Sequence, residues 1–397
     1  MHIMAETSET GRSSAWAGTA PRVITETWFF PLAALYGALV VPIFAAAWTG
    51  LMPAPPGLRT VAGHAHELLF GYALAVVCGF LVNRVEWPRL ALLLGLWLTA
   101  RLAFLFVPES LLAAVSNIGF AAVLAATAAP RFMKAAKKWR NRLTGPLVIA
   151  LCACAAAFHL VLARGGGFVL YLILGEAVVL FAVLMLFFGG RLIAPAAAGA
   201  IERRGGSLEA RVQPRIEGAI LLSMIGAAVT GPVPALGLVH GLLLVVAGAL
   251  AIVRLLRWRL WECAGRTDLF CLGPGYAWLG AGLILLGASR GFDLGLAPAT
   301  ATHAITVGAL GTLTSIIMLR TRLLRLRIDP TARACWLVAT TILMAVAALA
   351  RLFGAGSPGS LLLAAACWST GLLTTFVVLS LERGPAQPSA KANSRSA

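Results

Sequence analysis

The sequence predicts an all-α, polytopic membrane protein: a bundle of about twelve transmembrane helices with both termini cytoplasmic. Three observations lead there. Of 397 residues, 60% are hydrophobic and only 12% charged; soluble domains carry about 25% charged residues. Twelve apolar runs are long enough to cross a hydrocarbon core. Basic residues gather in every second loop, as the positive-inside rule requires of cytoplasmic loops. The mean hydropathy of +0.89 agrees, and no soluble domain is left over.

Residues 1–27 are polar, rich in Ser and Thr, and carry Glu6, Glu9 and Glu26. They read as a disordered cytoplasmic tail and not as a cleaved signal peptide, because no short basic leader directly precedes the first apolar run. The transmembrane domain follows over 28–381, and 382–397 forms a second disordered cytoplasmic tail.

The apolar runs lie near 28–50, 64–84, 89–107, 110–129, 146–163, 168–194, 216–232, 234–256, 270–289, 299–319, 334–353 and 359–381. The seventh is short and ends at Gly231-Pro232-Val233-Pro234, a breaker that turns or interrupts a helix. The loop at 130–145 carries Arg131, Lys134, Lys137, Lys138, Arg140 and Arg142. The loop after the tenth run carries Arg320, Arg322, Arg325, Arg327 and Arg333. Loops after odd-numbered runs hold one basic residue at most: Arg59, Arg164, Arg290 and Arg351. One missed helix would invert this alternation, so charge and helix count support each other. The same pattern explains the net charge of +17 without a nucleic-acid partner; the partner implied is the lipid bilayer.

The seven cysteines form no framework. Cys78, Cys152, Cys154, Cys271 and Cys367 lie inside apolar runs and read as small buried hydrophobes.

Depth makes the polar residues informative. Apart from His2, every histidine falls in the outer half of the bundle: His64 and His66 in the second run, then His159, His240 and His303. Histidine tolerates an interface, but imidazole is also the usual ligand of haem iron and copper. His64 and His66 point about 200° apart on an ideal helix, so they are expected to serve different partners. His64 would share its side with Gly71, Ala75 and Gly79, a stripe of small residues suited to close helix packing or to a flat macrocycle. Glu67 follows at once. Deeper charges are Arg101 and Glu176, which sit at matching depth and are expected to pair, unless Arg101 instead holds a haem propionate.

Four segments carry a family resemblance. HAHELLFGYALAVVCGFL in the second run, FGGRLIAP at 188–195, PGYAWLGAGLILLG at 274–287 and HAITVGALGTLTSIIMLR at 303–320 resemble the NnrS family, bacterial twelve-helix membrane proteins linked to nitric oxide and denitrification. The resemblance implies haem and copper as cofactors, nitric oxide as a partner, and the bacterial inner (cytoplasmic) membrane as location. His66 and His303 match the family's histidines on helices 2 and 10, so they rank first as haem ligands. His64 comes next, then His240 and His159 as further metal ligands, with Glu67 taking the other N–H of a ligating imidazole. The alternative is that these histidines only cap helices at the interface.

The chain departs from the pattern in places. Gly273 stands where the family has a histidine before Gly-Tyr, and Arg325 lies where a Gly-His-Thr-Gly-Arg element is expected. The family's Asn-Trp after helix 2 is Glu86-Trp87 here, and a proline is displaced to Pro195. If the family has two metal sites, this member keeps the outer one and has lost or altered the inner one.

Three functions follow as expectations. The first is a haem-binding membrane protein of nitric oxide or nitrosative-stress metabolism in a denitrification context. The second is a redox enzyme related by analogy to the haem–copper oxidases, which place haem ligands on helices 2 and 10. The third is a metal-free transporter or cofactor-delivery protein. No residue pattern names an electron donor.

Overall fold

The structure is a computed structural model that describes residues 22–135, 143–263, 265–292, 295–354 and 356–382. Residues 136–142 of the basic loop, Lys137 among them, and both distal tails lie outside these residues. Twelve helices among the described residues are long and apolar enough to span a membrane. They are α1 Glu26–Trp48, α2 Val61–Val82, α3 Trp87–Phe106, α4 Leu111–Met133, α5 Thr144–Leu162 and α6 Phe168–Glu202. They continue as α7 Glu209–Thr230, α8 Pro234–Glu262, α9 Thr267–Gly291, α10 Pro298–Arg325, α11 Pro330–Phe353 and α12 Pro358–Leu381. The expected helix count therefore holds, and the breaker at 231–234 separates two spans.

Boundaries differ from the sequence reading at several helix ends. Helix α6 runs on through Pro195 to Glu202, beyond the expected end at 194. Pro195 removes one backbone donor, but Ala197, Ala198 and Ala200 are good helix formers and pack into the core. The described residues begin at Arg22, within the expected N-terminal tail. Arg22–Ile24 forms a short strand, β1, antiparallel to β2, Arg84–Glu86, with Val23 opposite Val85. Glu26 is then buried and ion-paired to Arg325 at 2.8 Å, so this acid belongs to the helical domain.

Glycine allows the close approach of α8 to α9. Gly241 and Gly248 on α8 face Gly287 and Gly280 on α9, and a Cβ on Gly241 or on Gly248 would sit 2.5 Å from the facing carbonyl oxygen. Lipid supplies no hydrophobic drive between helices, so backbone approach and packing provide the attraction.

The basic-loop end of the bundle is fastened by ion pairs. Asp268 is fully buried and takes Arg266 and Arg320, each at 2.8 Å. Arg333 reaches Glu382 at 2.6 Å. Loop arginines that orient the chain thus also pair with its few acids.

Two helices change winding. Glu67–Ala73 of α2 and Ala304–Ala309 of α10 are π-helical. Each wider stretch begins immediately after a histidine, His66 or His303. Such insertions are rare and gather at functional sites.

Candidate functional site

The π-helical stretch of α2 redistributes the faces that an ideal helix would give. Gly71 does not follow His64. A Cβ there would meet Arg101 at 2.5 Å and Tyr36 at 3.0 Å, and its carbonyl accepts the indole N–H of Trp97 at 2.9 Å. A Cβ on Gly79 would meet Phe30 at 2.8 Å. Protein side chains fill the expected stripe of small residues, which leaves it no room for a macrocycle.

Behind α2 lies a closed polar network. Glu67 is fully buried, and its carboxylate accepts from the Tyr36 hydroxyl, from Arg101 at 2.5 Å and from His66 Nδ1 at 2.8 Å. Arg101 also donates to Asn117. With its Nδ1 proton on Glu67, His66 has only Nε2 left, which lies 3.0 Å from His159 Nε2 and accepts its proton. The ring is enclosed by Phe104, stacked at 3.9 Å, and Phe158 at 4.5 Å. Arg101 therefore takes Glu67 as its carboxylate, not Glu176. Glu176 lies instead beside Gly231 and acts on Arg290.

In front of α2 lies a cavity of about 540 Å³, lined by α1, α2, α6 and α9 to α12. It holds His64 and His303, flanked by Arg290 and Arg351, and among the described residues no carboxylate lines it. The lining comes from the C-terminal ends of odd-numbered helices and the N-terminal ends of even-numbered ones, such as Trp48, Tyr171 and Pro358. It therefore opens on the face opposite the basic loops. His303 Nδ1 donates to the Ala299 carbonyl at 2.8 Å, which leaves its Nε2 lone pair free. His64 stacks on Phe44 at 4.0 Å, and its buried Nδ1 finds no hydrogen-bond partner among the described residues.

The sequence ranking put His66 and His303 together across one iron. The structure brings His64 to the cavity with His303 and places His66 behind the helix with His159. His64 and His66 do point to different partners, but it is His64, not His66, that shares the cavity with His303. His240, the remaining candidate, donates Nδ1–H to the Ala227 carbonyl at 2.9 Å and so ties α8 to α7.

Family comparison agrees with this architecture. The family model described as NnrS protein matches residues 27–381, nearly the whole chain. The chain belongs to the NnrS family. No curated protein and no solved structure matches it.

The segments that carried the NnrS resemblance interlock in the bundle. A Cβ on Gly189 of Phe-Gly-Gly-Arg would meet the Tyr276 ring of Gly-Tyr-Ala-Trp at 2.5 Å. The Gly190 backbone is pressed against the Arg254 guanidinium. Arg254 donates to the Leu186 carbonyl at 3.2 Å and reaches the Tyr276 hydroxyl at 3.5 Å. Gly308 of α10 lies under Trp278, where a Cβ would come within 2.6 Å of the indole. These NnrS motifs hold α6, α8, α9 and α10 together, whereas the cavity draws its histidines from α2 and α10.

Sequence reasoning missed Arg290 and Arg351 as lining residues because each is the lone cation of its loop. Tyr36 and Asn117 were also missed. Neither has a charge or a metal-ligand pattern to mark it.

Proposed function

We propose that this NnrS member is a haem-binding protein of the bacterial inner membrane, serving nitric oxide or nitrosative-stress metabolism in a denitrification context. The haem belongs in the outer cavity. The observation that carries this reading is the orphaned His64 Nδ1, buried in a cavity shared with His303 and two arginines. Its volume of about 540 Å³ lies within the range of about 300–1,000 Å³ typical of cofactor sites. The donor chemistry fits: two neutral imidazoles for iron and two guanidiniums for a pair of propionates.

Haem, if bound, would supply an iron that His64 or His303 could hold and that could take nitric oxide as a ligand. The Ala299 carbonyl fixes the His303 tautomer and leaves Nε2 as the lone pair that would hold a metal. Phe44 holds the plane of His64. Arg351 and Arg290 favour an anionic ligand in the cavity, Arg351 more strongly because Glu176 acts on Arg290 from outside the lining.

Copper fits less well. A linear two-coordinate ion needs about 4 Å between nitrogens, from two metal–nitrogen bonds of about 2 Å; His66 and His159 are 3.0 Å apart. A bent site needs more ligands, and no group of three or more His, Cys, Asp or Glu suited to a metal gathers among the described residues.

Absorption spectra of purified full-length protein test the proposal. We expect a Soret band that His64→Ala and His303→Ala shift or abolish and that Arg351→Met weakens. Protein without haem, or wild-type spectra in both histidine variants at unchanged protein level, would reject it. Loss of the band in His66→Ala alone would move the site to the buried network.

A further inference from the structure

The seam between α2, α6 and α10 contains a second void. It measures about 70 Å³ and lies toward the basic-loop side of the outer cavity. The two voids are consecutive on these three helices. On α2 the outer lining ends at Tyr72 and the inner begins at Ala73; on α6 it passes from Val178 to Phe181; on α10 Leu310 lines both. Leu310 is therefore the partition.

The chemistry of the inner void restricts its occupant. Thr314 is its one polar side chain among the described residues. That hydroxyl is engaged, 2.6 Å from the Tyr72 hydroxyl and donating to the Leu310 carbonyl at 2.6 Å. A water needs two to four polar partners, and apolar cavities without them stay dry and take xenon or small hydrocarbons. The volume is too small for a macrocycle or a lipid chain. The rim opens toward lipid, since Met185, Phe188 and Ile317 are each half-buried.

We propose that this void docks a small uncharged gas molecule, taken laterally from the lipid, and passes it to the outer cavity past Leu310. The docking stands on this geometry alone. The acceptor beyond Leu310 rests on the haem reading above. No bond is made or broken in the passage, and a diatomic gas needs no hydrogen bonds to enter it.

Xenon tests the docking without any haem. In full-length protein with labelled methionine methyl groups, xenon pressure is expected to shift Met185 and leave Met224 and Met344 in place. Ala73→Leu, which fills the void, should abolish that shift, and Ile317→Trp at the rim should do the same if the first variant folds poorly. An unmoved Met185, or an equal shift in both variants, overturns the docking while leaving the haem proposal untouched. On haem-loaded protein, carbon monoxide rebinding after flash photolysis tests the passage. Both variants should slow bimolecular association several-fold with the Soret band unchanged, and Leu310→Ala should speed it. Unchanged rates in variants that have lost xenon binding would overturn the passage.

Discussion

Glu67 and Arg101 offer the sharpest test of how this bundle tolerates charge. Both are buried, at 0% and 2% exposure, and 2.5 Å apart. Glu67→Gln leaves the guanidinium with Asn117 and a neutral amide. Arg101→Met leaves the carboxylate with only Tyr36 and His66 as donors and removes the Arg101 donor from Asn117 Oδ1. Removing one partner of a buried pair costs about 3–5 kcal/mol, because the other charge stays uncompensated. Removing both leaves no net buried charge, so the double variant Glu67→Gln/Arg101→Met should be little worse than either single one. The singles together predict about 6–10 kcal/mol if independent, against about 3–5 for the pair, a coupling of at least about 2 kcal/mol. The assay is a double-variant cycle of unfolding free energies in mixed micelles. Additivity within about 0.5 kcal/mol, or singles costing below about 1 kcal/mol as exposed pairs do, would refute the argument. Because Glu67 bonds His66 and not His64, Glu67→Gln should also leave the haem spectrum of the folded fraction unchanged.

Three further expectations concern the frame around the site. Gly241→Val places side-chain carbon against the Gly287 carbonyl and should cost at least about 1–3 kcal/mol as overpacking between two backbones, read as loss of the monodisperse peak in fluorescence-detected size exclusion; a normal peak refutes it. Asp268→Asn should destabilise by about 1–3 kcal/mol, less than the Glu67 change because Arg266 and Arg320 keep 23% and 15% exposure; an equal or larger loss in the same micelle titration would contradict that ordering. In a chain with Cys335 replaced by Ser, an impermeant thiol reagent should reach Glu109→Cys from outside intact cells and Ser207→Cys only in inverted vesicles; the reverse result would overturn the proposed orientation.

The helices were legible because membrane spanning is a matter of length and hydropathy, both local properties. Val61–Val82 and Pro298–Arg325 announce themselves without any knowledge of their neighbours. That the histidines gather on the side away from the basic loops followed for the same reason: alternating basic loops fix depth residue by residue. What depth does not fix is lateral position. Arg101 and Glu176 were matched on distance from the inner edge, yet Glu67 satisfies that criterion better. Arg101 lies five residues from the end of α3 and Glu67 six from the start of α2, about 8 and 9 Å at about 1.5 Å per residue. Helices α2 and α3 are also antiparallel neighbours through a turn of four residues, 83–86, while α3 and α6 are separated by two spans. Face assignment failed for a related reason. An ideal 100° step places Gly71 beneath His64, but the π-helical turn after His66 shifts every later residue, and no residue pattern in Glu67–Ala73 marks it. Only packing against Tyr36, Trp97 and Arg101 reveals why the wider turn is kept. It lets Glu67 and Gly71 face α3 while Leu68, Leu69 and Tyr72 face the cavity. One helix thereby supplies two chemically distinct sites, a closed ion-paired network on one side and an open imidazole on the other. An undistorted helix carrying the same residues would have mixed the two.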